Sequence, residues 1–277
     1  MRTPQFHIGT SGWKYDDWKG VFLPRTGDEL AAYARVFSTV EIDSTWYHTP
    51  APKVVASWAR RVPEGFRFSA KVPREITHDK LLINCEDALN SFLDSMSELG
   101  EARGPLLLQF PPTWSLHEGW GALHQFLPLL REGAALDWQF AVEFRHRSWF
   151  GQRTAELLQE FNVAWTLADF GAWWHKEEMP LFVTADFAYV RWLGNRYEEL
   201  EPFDALKKDK THDEERWLET LGELPVNEVW GYFNNHWAGF SPASARDFLE
   251  KLGTPAPEFS VVAPPVKPGS GQGSLFD

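Results

Sequence analysis

The amino-acid sequence predicts an α/β chain closed into a (β/α)8 TIM-like barrel. Three observations carry that expectation. Eight short apolar runs alternate with amphipathic helical stretches, and strands alternating with helices imply a parallel sheet. The chain has 277 residues, and one barrel domain takes about 250. The apolar share is 43%, enough for a core between two layers. An open doubly wound sheet is the structural alternative. It would normally bring a Gly-rich phosphate turn after its first strand, and Gly9-Thr10-Ser11-Gly12 lacks the full pattern.

Phe6–Gly9 reads as the first strand. Asp28 is placed to cap a helix with Leu30, Tyr33, Ala34 and Phe37 on one face. Thr39–Asp43 is the second strand, and Val54, Val55, Trp58 and Val62 mark the helix after it. Phe66–Val72 is the third. Asn84 is the expected cap of a helix with Ala88, Leu89, Phe92, Leu93, Met96 and Leu99 at helical spacing, stopped by Gly100. Leu106–Phe110 is the fourth strand, halted by Pro111 and Pro112, and Trp120, Leu123, Leu127 and Leu130 form the next helical stripe. Trp138–Phe144, Val163–Asp169, Phe187–Leu193 and Val229–Phe233 are the remaining strands. Leu157, Leu158 and Phe161 lie on the fifth helix. Phe170 to Asp186 has no helical period, so a loop in place of the sixth helix is the expectation there. Thr211 with Glu214 resembles a capping box before Trp217, Leu218 and Leu221. Ser241-Pro242 opens the last helix, which ends at Gly253. Residues 1–254 are read as the barrel and 255–277 as a flexible tail, because Val261–Gly273 is rich in Pro, Gly and Ser.

Composition narrows the function classes. A net charge of −12 argues against a broad nucleic-acid surface, which is ordinarily basic. Cys85 is the single cysteine, which excludes an intramolecular disulfide and a cysteine-rich zinc site. The first residues lack a signal-peptide pattern, and no apolar stretch is long enough to span a membrane. The expected location is cytoplasmic.

Working residues of such barrels sit at the C-terminal ends of the strands. The first strand ends in Thr10, Ser11 and Trp13; the second in Glu41, Asp43 and Tyr47. Lys71 follows on the third, Gln109 on the fourth, Glu143 and Arg145 on the fifth, Asp169 on the sixth, Arg191 on the seventh and Asn234 on the eighth. Alternation puts Glu41 with Asp43, and Glu143 with Arg145, on shared faces. Lys71, Arg145 and Arg191 suit a phosphate or carboxylate. Glu143, Lys71 and Asp43 are the expected acid–base groups. Gln109, Asn234, Thr10, Ser11, Trp13, Tyr47 and His78 are expected to orient a small anionic ligand or nucleotide. The plain alternative is a mutually paired network that fills the barrel top. A non-catalytic ligand-binding module is a further alternative. So is a hydrolase or isomerase holding Mg or Mn on Glu41, Asp43, Glu143 and Asp169, although no His spacing supports a metal and the sequence requires no cofactor. Single aromatics near the loops are read as packing.

The same residues form longer motifs. Gly9-Thr10-Ser11-Gly12-Trp13-Lys14-Tyr15, Val40-Glu41-Ile42-Asp43-Ser44-Thr45-Trp46-Tyr47, Phe68-Ser69-Ala70-Lys71, Leu108-Gln109-Phe110-Pro111-Pro112, Glu143-Phe144-Arg145 and Tyr232-Phe233-Asn234-Asn235 occur in that order. Together they resemble the YecE-like family, domain of unknown function 72, from about Phe6 to about Leu252. The resemblance implies a TIM-like barrel and assigns no reaction. The sequence departs from that pattern at Asp43, where Asn is usual. It departs again at Trp192-Leu193-Gly194, where a His before Gly is usual, and at His236-Trp237, where an acidic residue is common. If the absent His were an acid or base, this chain's activity or specificity would differ.

Gln272-Gly273-Ser274-Leu275-Phe276 resembles a peptide that docks on the bacterial DNA sliding clamp, with Gln272, Leu275 and Phe276 as its contacts. Tethering would also place an acidic chain near DNA without a basic surface of its own. Micromolar clamp binding that is lost in a Leu275→Ala/Phe276→Ala chain is the expected result, and an intact chain that does not bind removes the idea.

Overall fold

The computed structural model describes residues 4–171, 181–254 and 259. Its eight strands are β1 (Gln5–Ser11), β2 (Thr39–Ile42), β3 (Arg67–Lys71), β4 (Arg103–Gln109), β5 (Phe140–Glu143), β6 (Ala164–Asp169), β7 (Phe187–Trp192) and β8 (Glu228–Phe233). They form a closed barrel in chain order, every pair parallel. Closure is made by β1 on β8, with Phe6 beside Val229 and Ile8 beside Gly231.

Seven α-helices are described: α1 (Glu29–Tyr33), α2 (Pro52–Ala59), α3 (Glu86–Met96), α4 (Leu116–Phe126), α5 (Gln152–Glu160), α6 (Thr211–Gly222) and α7 (Ser241–Lys251). Between β6 and β7 no α-helix lies among the described residues. Positions 172–180 of the expected loop fall outside them.

Local signals behave unevenly. Asp28 caps α1 through the Ala31 amide at 3.1 Å. Gly100 leaves the helical region at φ 54°. Asn84 is not the cap of α3: it sits at φ +49° and Cys85 precedes the helix. Thr211 and Glu214 form no capping box, because Glu214 pairs with Lys251 of α7 instead. A capping box does open α4, where Ser115 and Glu118 hold each other's backbone.

Alternate strand residues face two different cores. Val40, Leu108, Val142 and Val190 pack outward against the helices. A smaller group, including Leu107, Ala141, Tyr189, Trp230 and Tyr232, fills the barrel interior. Bonds that skip strands locate that interior. Tyr189 on β7 reaches Ser69 on β3 at 2.6 Å, and Tyr232 on β8 reaches Thr39 on β2 at 2.9 Å. Among the described residues no helix is long and apolar enough to cross a membrane.

The docking residues Gln272, Leu275 and Phe276 lie outside the described residues. Phe259 lies beyond the expected barrel boundary at 254. It packs on Phe22 and Phe240, with ring centroids 5.0 and 6.0 Å away, and under Arg246.

Candidate functional site at the C-terminal mouth

Arg191 is the centre of the upper interior. Its Nη2 donates to Glu41 at 2.8 Å and its Nη1 to Glu143 at 2.6 Å. These contacts join β7 to β2 and β5, so all three side chains point into the barrel. Glu41 also accepts from Ser11 at 3.0 Å and from Tyr189 at 2.8 Å. Glu143 accepts from Arg145 Nε at 2.7 Å, and Arg145 Nη2 donates to Gln109 at 3.2 Å. Lys71 pairs with Asp43 at 2.7 Å. The charges therefore balance, three carboxylates against three cations.

The donors do not balance. A guanidinium carries five N–H groups and an ammonium three. Arg191 Nε is buried with no hydrogen-bond partner among the described residues. Lys71 and Arg145 both border a cavity of about 570 Å³ above this network.

That cavity is bordered by residues from seven strand ends or the loops after them, β2 through β8. Trp46, Tyr47 and His78 form one wall, and Leu193, Gly194, Arg196 and Tyr197 another. Asn234 and His236 close the β8 side, and Pro111 and Pro112 the β4 side. His78 stands on a single π-helical turn, Glu75–Asp79, directly after β3, a geometry found often at functional sites. Its Nδ1 is 2.9 Å from the Thr77 hydroxyl.

Environment sets the protonation states. Burial alone would raise the Glu143 carboxyl, but Arg191 and Arg145 outweigh it and hold it down to about 2. At neutral pH Glu143 has no proton to donate and is a weak base. Burial also pushes Asp43 upward, but Lys71 and then Arg191 bring it below the usual aspartate value. Burial lowers His78, helped by Arg74 and Arg145, and burial lowers His236. Both shifts favour the neutral imidazole.

Several expected residues stand elsewhere. Glu143 is buried beneath the cavity rather than bordering it. Thr10 points outward and bonds the Tyr33 hydroxyl on α1 at 3.0 Å. Ser11 points inward, but as a partner of Glu41. Trp13 packs edge-on against Trp58 and Phe68. Asp169 faces the helix layer, where it accepts from Trp217 Nε1 at 3.0 Å and from the Gly171 amide at 2.8 Å. The four carboxylates of the metal alternative therefore do not share one site. Leu193, where the resemblance leads one to expect His, borders the cavity, and His236 borders it from the next strand. Sequence reasoning missed Tyr189, Arg196, Tyr197 and the role of Glu41 as the second partner of Arg191. Tyr189 was findable, since it lies two residues before Arg191 and so shares its face.

The fold and mouth define a (β/α)8 barrel whose strand ends converge on a basic cavity. Residues 7–269 match the family model "Protein of unknown function DUF72". The chain belongs to the DUF72 family. The protein UPF0759 YecE of Escherichia coli K12 is 33% identical over 150 residues, which is 54% of this chain and 52% of that protein. The match thus spans about half the length of that relative. A solved DUF72 family protein from Thermotoga maritima is 27% identical, with a TM-score of 0.73, covering 90% of this chain and 99% of that one. A xylose isomerase domain containing protein from Salmonella typhimurium has a TM-score of 0.53 at 14% identity, covering 91% and 97%, and shares the fold alone.

Proposed function

We propose that the chain binds a small anionic ligand of the phosphate type in the mouth cavity and acts on it as a hydrolase or lyase. One observation carries the reading. Lys71, Arg145, Arg191 and Arg196 all border the same cavity, and no carboxylate borders it among the described residues. Glu41 and Glu143 lie buried behind Arg191 and Arg145 and fix their orientation, Asp43 pairs with Lys71 from the side, and N–H groups are left over for a ligand. His78 and His236 are the groups placed to accept a proton. Glu143 has the role of holding Arg191 and Arg145.

The test is titration calorimetry with inorganic phosphate. A charge-assisted hydrogen bond contributes about 1.5–3 kcal/mol, so Lys71→Met and Arg145→Ala are each expected to weaken phosphate binding by roughly 10- to 150-fold. Equal affinity in wild type and both variants removes the cavity as the anion site. The low proton affinity of Glu143 favours a second reading, a binding module without turnover. Bound ligand that is recovered unchanged after prolonged incubation supports it.

A further inference from the structure

We propose that the ligand is a mononucleotide, its phosphate on the cationic floor and its base between aromatic side chains at the rim. This rests on the anion reading above and narrows it. Exposure orders the cavity by depth. The side chains of Arg191, Lys71 and Arg145 are 1%, 14% and 22% exposed, whereas Tyr47 and Tyr197 are 70% and 62% exposed. Among the described residues these two are the exposed aromatic side chains, and both border this cavity. They stand on two walls of the cavity, and their exposed ring faces suit the faces of a flat ligand.

Arginines back the aromatic rings. Arg196 lies 5.0 Å over the Tyr197 ring, Arg145 lies 5.3 Å over Phe170, and Arg74 lies 5.2 Å over Trp46. Phe170 and Trp46 also border the cavity. Stacked guanidinium–aromatic pairs present flat, electron-complementary faces, and such faces accept any base with little sequence preference. A phosphate alone would use the floor and leave the rim unexplained. A sugar ring also lays its C–H face on aromatic side chains, but it offers a smaller flat area than a base. The volume of about 570 Å³ falls within the usual range for small-molecule sites, roughly 300–1,000 Å³. The net charge of −12 disfavours a long polyanion running out over the surface, which favours a single nucleotide over a strand.

The experiment is calorimetric titration of the full chain with inorganic phosphate, adenosine 5′-monophosphate and a 5′-phosphorylated single-stranded oligonucleotide. Wild type is expected to bind the monophosphate at least about tenfold tighter than phosphate, the gain one stacked base ordinarily gives. In Tyr47→Ala/Tyr197→Ala that preference is expected to fall to within about threefold while phosphate affinity holds, which also shows that the variant is folded. Equal affinity of wild type for phosphate and monophosphate overturns the nucleotide assignment and leaves the anion site standing. No binding of any of the three overturns both. An oligonucleotide bound far more tightly than the monophosphate overturns the assignment to a free mononucleotide.

Discussion

An Arg191→Leu chain is expected to lose roughly 3–5 kcal/mol of stability, the cost of leaving buried charges without their partner. Arg191 has one guanidinium between two carboxylates, Glu41 and Glu143, and all three side chains are essentially sealed from solvent. Leucine fills much of the volume, so packing is not the main loss. Glu143 keeps Arg145, but Glu41 keeps only the hydroxyls of Ser11 and Tyr189. Removing that second carboxylate as well, in Glu41→Gln/Arg191→Leu, is therefore expected to recover part of the loss. Urea denaturation of the three chains checks this, and a single variant within about 1 kcal/mol of wild type contradicts it. The same network sets the acid limit. The folded-state pKa of Glu143, about 2, lies below its ordinary value of 4.5. Its contribution is thus fully present above 4.5 and is lost as pH falls through about 2. Wild type should lose stability with falling pH across that window, and Glu143→Gln should show a shallower slope from a lower starting point.

The barrel was legible because its strands and helices alternate with different periods, and every expected strand exists within a few residues. Parallel strands buried on both faces hide which face is inner. Parity alone paired Glu41 with Asp43 and Glu143 with Arg145, and both pairs do face inward. Grouping Thr10 with Ser11 ignored the same parity: as neighbours on β1 they point to opposite sides. Asp169 fails for that reason too: Thr166 and Ala168 lie on the opposite face of β6, and the Gly171 amide and Trp217 bind the Asp169 carboxylate on the outer side. Trp149 follows the packing expectation for loop aromatics, whereas Trp13, expected also as a ligand contact, packs as well. Arg196 and Tyr197 were not legible, because they sit in an aperiodic loop and only tertiary structure folds that loop over the mouth.

Gly194→Ala is expected to be the most damaging single-methyl change at the mouth. Gly194 has φ +65°, and a Cβ there would lie 1.9 Å from the carbonyl oxygen of His236 and 2.6 Å from the Cα of Trp237. These are backbone atoms, so no side chain can swing aside. The glycine cannot move alone either. Its amide and that of Leu193 both donate to the Asp169 carbonyl, at 3.0 and 2.8 Å, and the Asn234 amide donates to Trp192 at 2.9 Å. The ends of β6, β7 and β8 are thus tied together at one point. A left-handed alanine costs about 1–2 kcal/mol and forced overpacking about 1–3 more, so a loss of roughly 2–5 kcal/mol is expected. Gly65→Ala isolates the first contribution, because Gly65 has φ +85° with open space around it. Its loss should be about 1–2 kcal/mol with phosphate binding unchanged. In Gly194→Ala the walls carrying Arg196, Tyr197 and His236 must separate, so binding should weaken at temperatures where the chain is still folded. Urea melts and phosphate titrations of both variants decide it. Equal losses in the two chains would mean that the contact between Gly194 and His236 is slack and does not set the shape of the cavity.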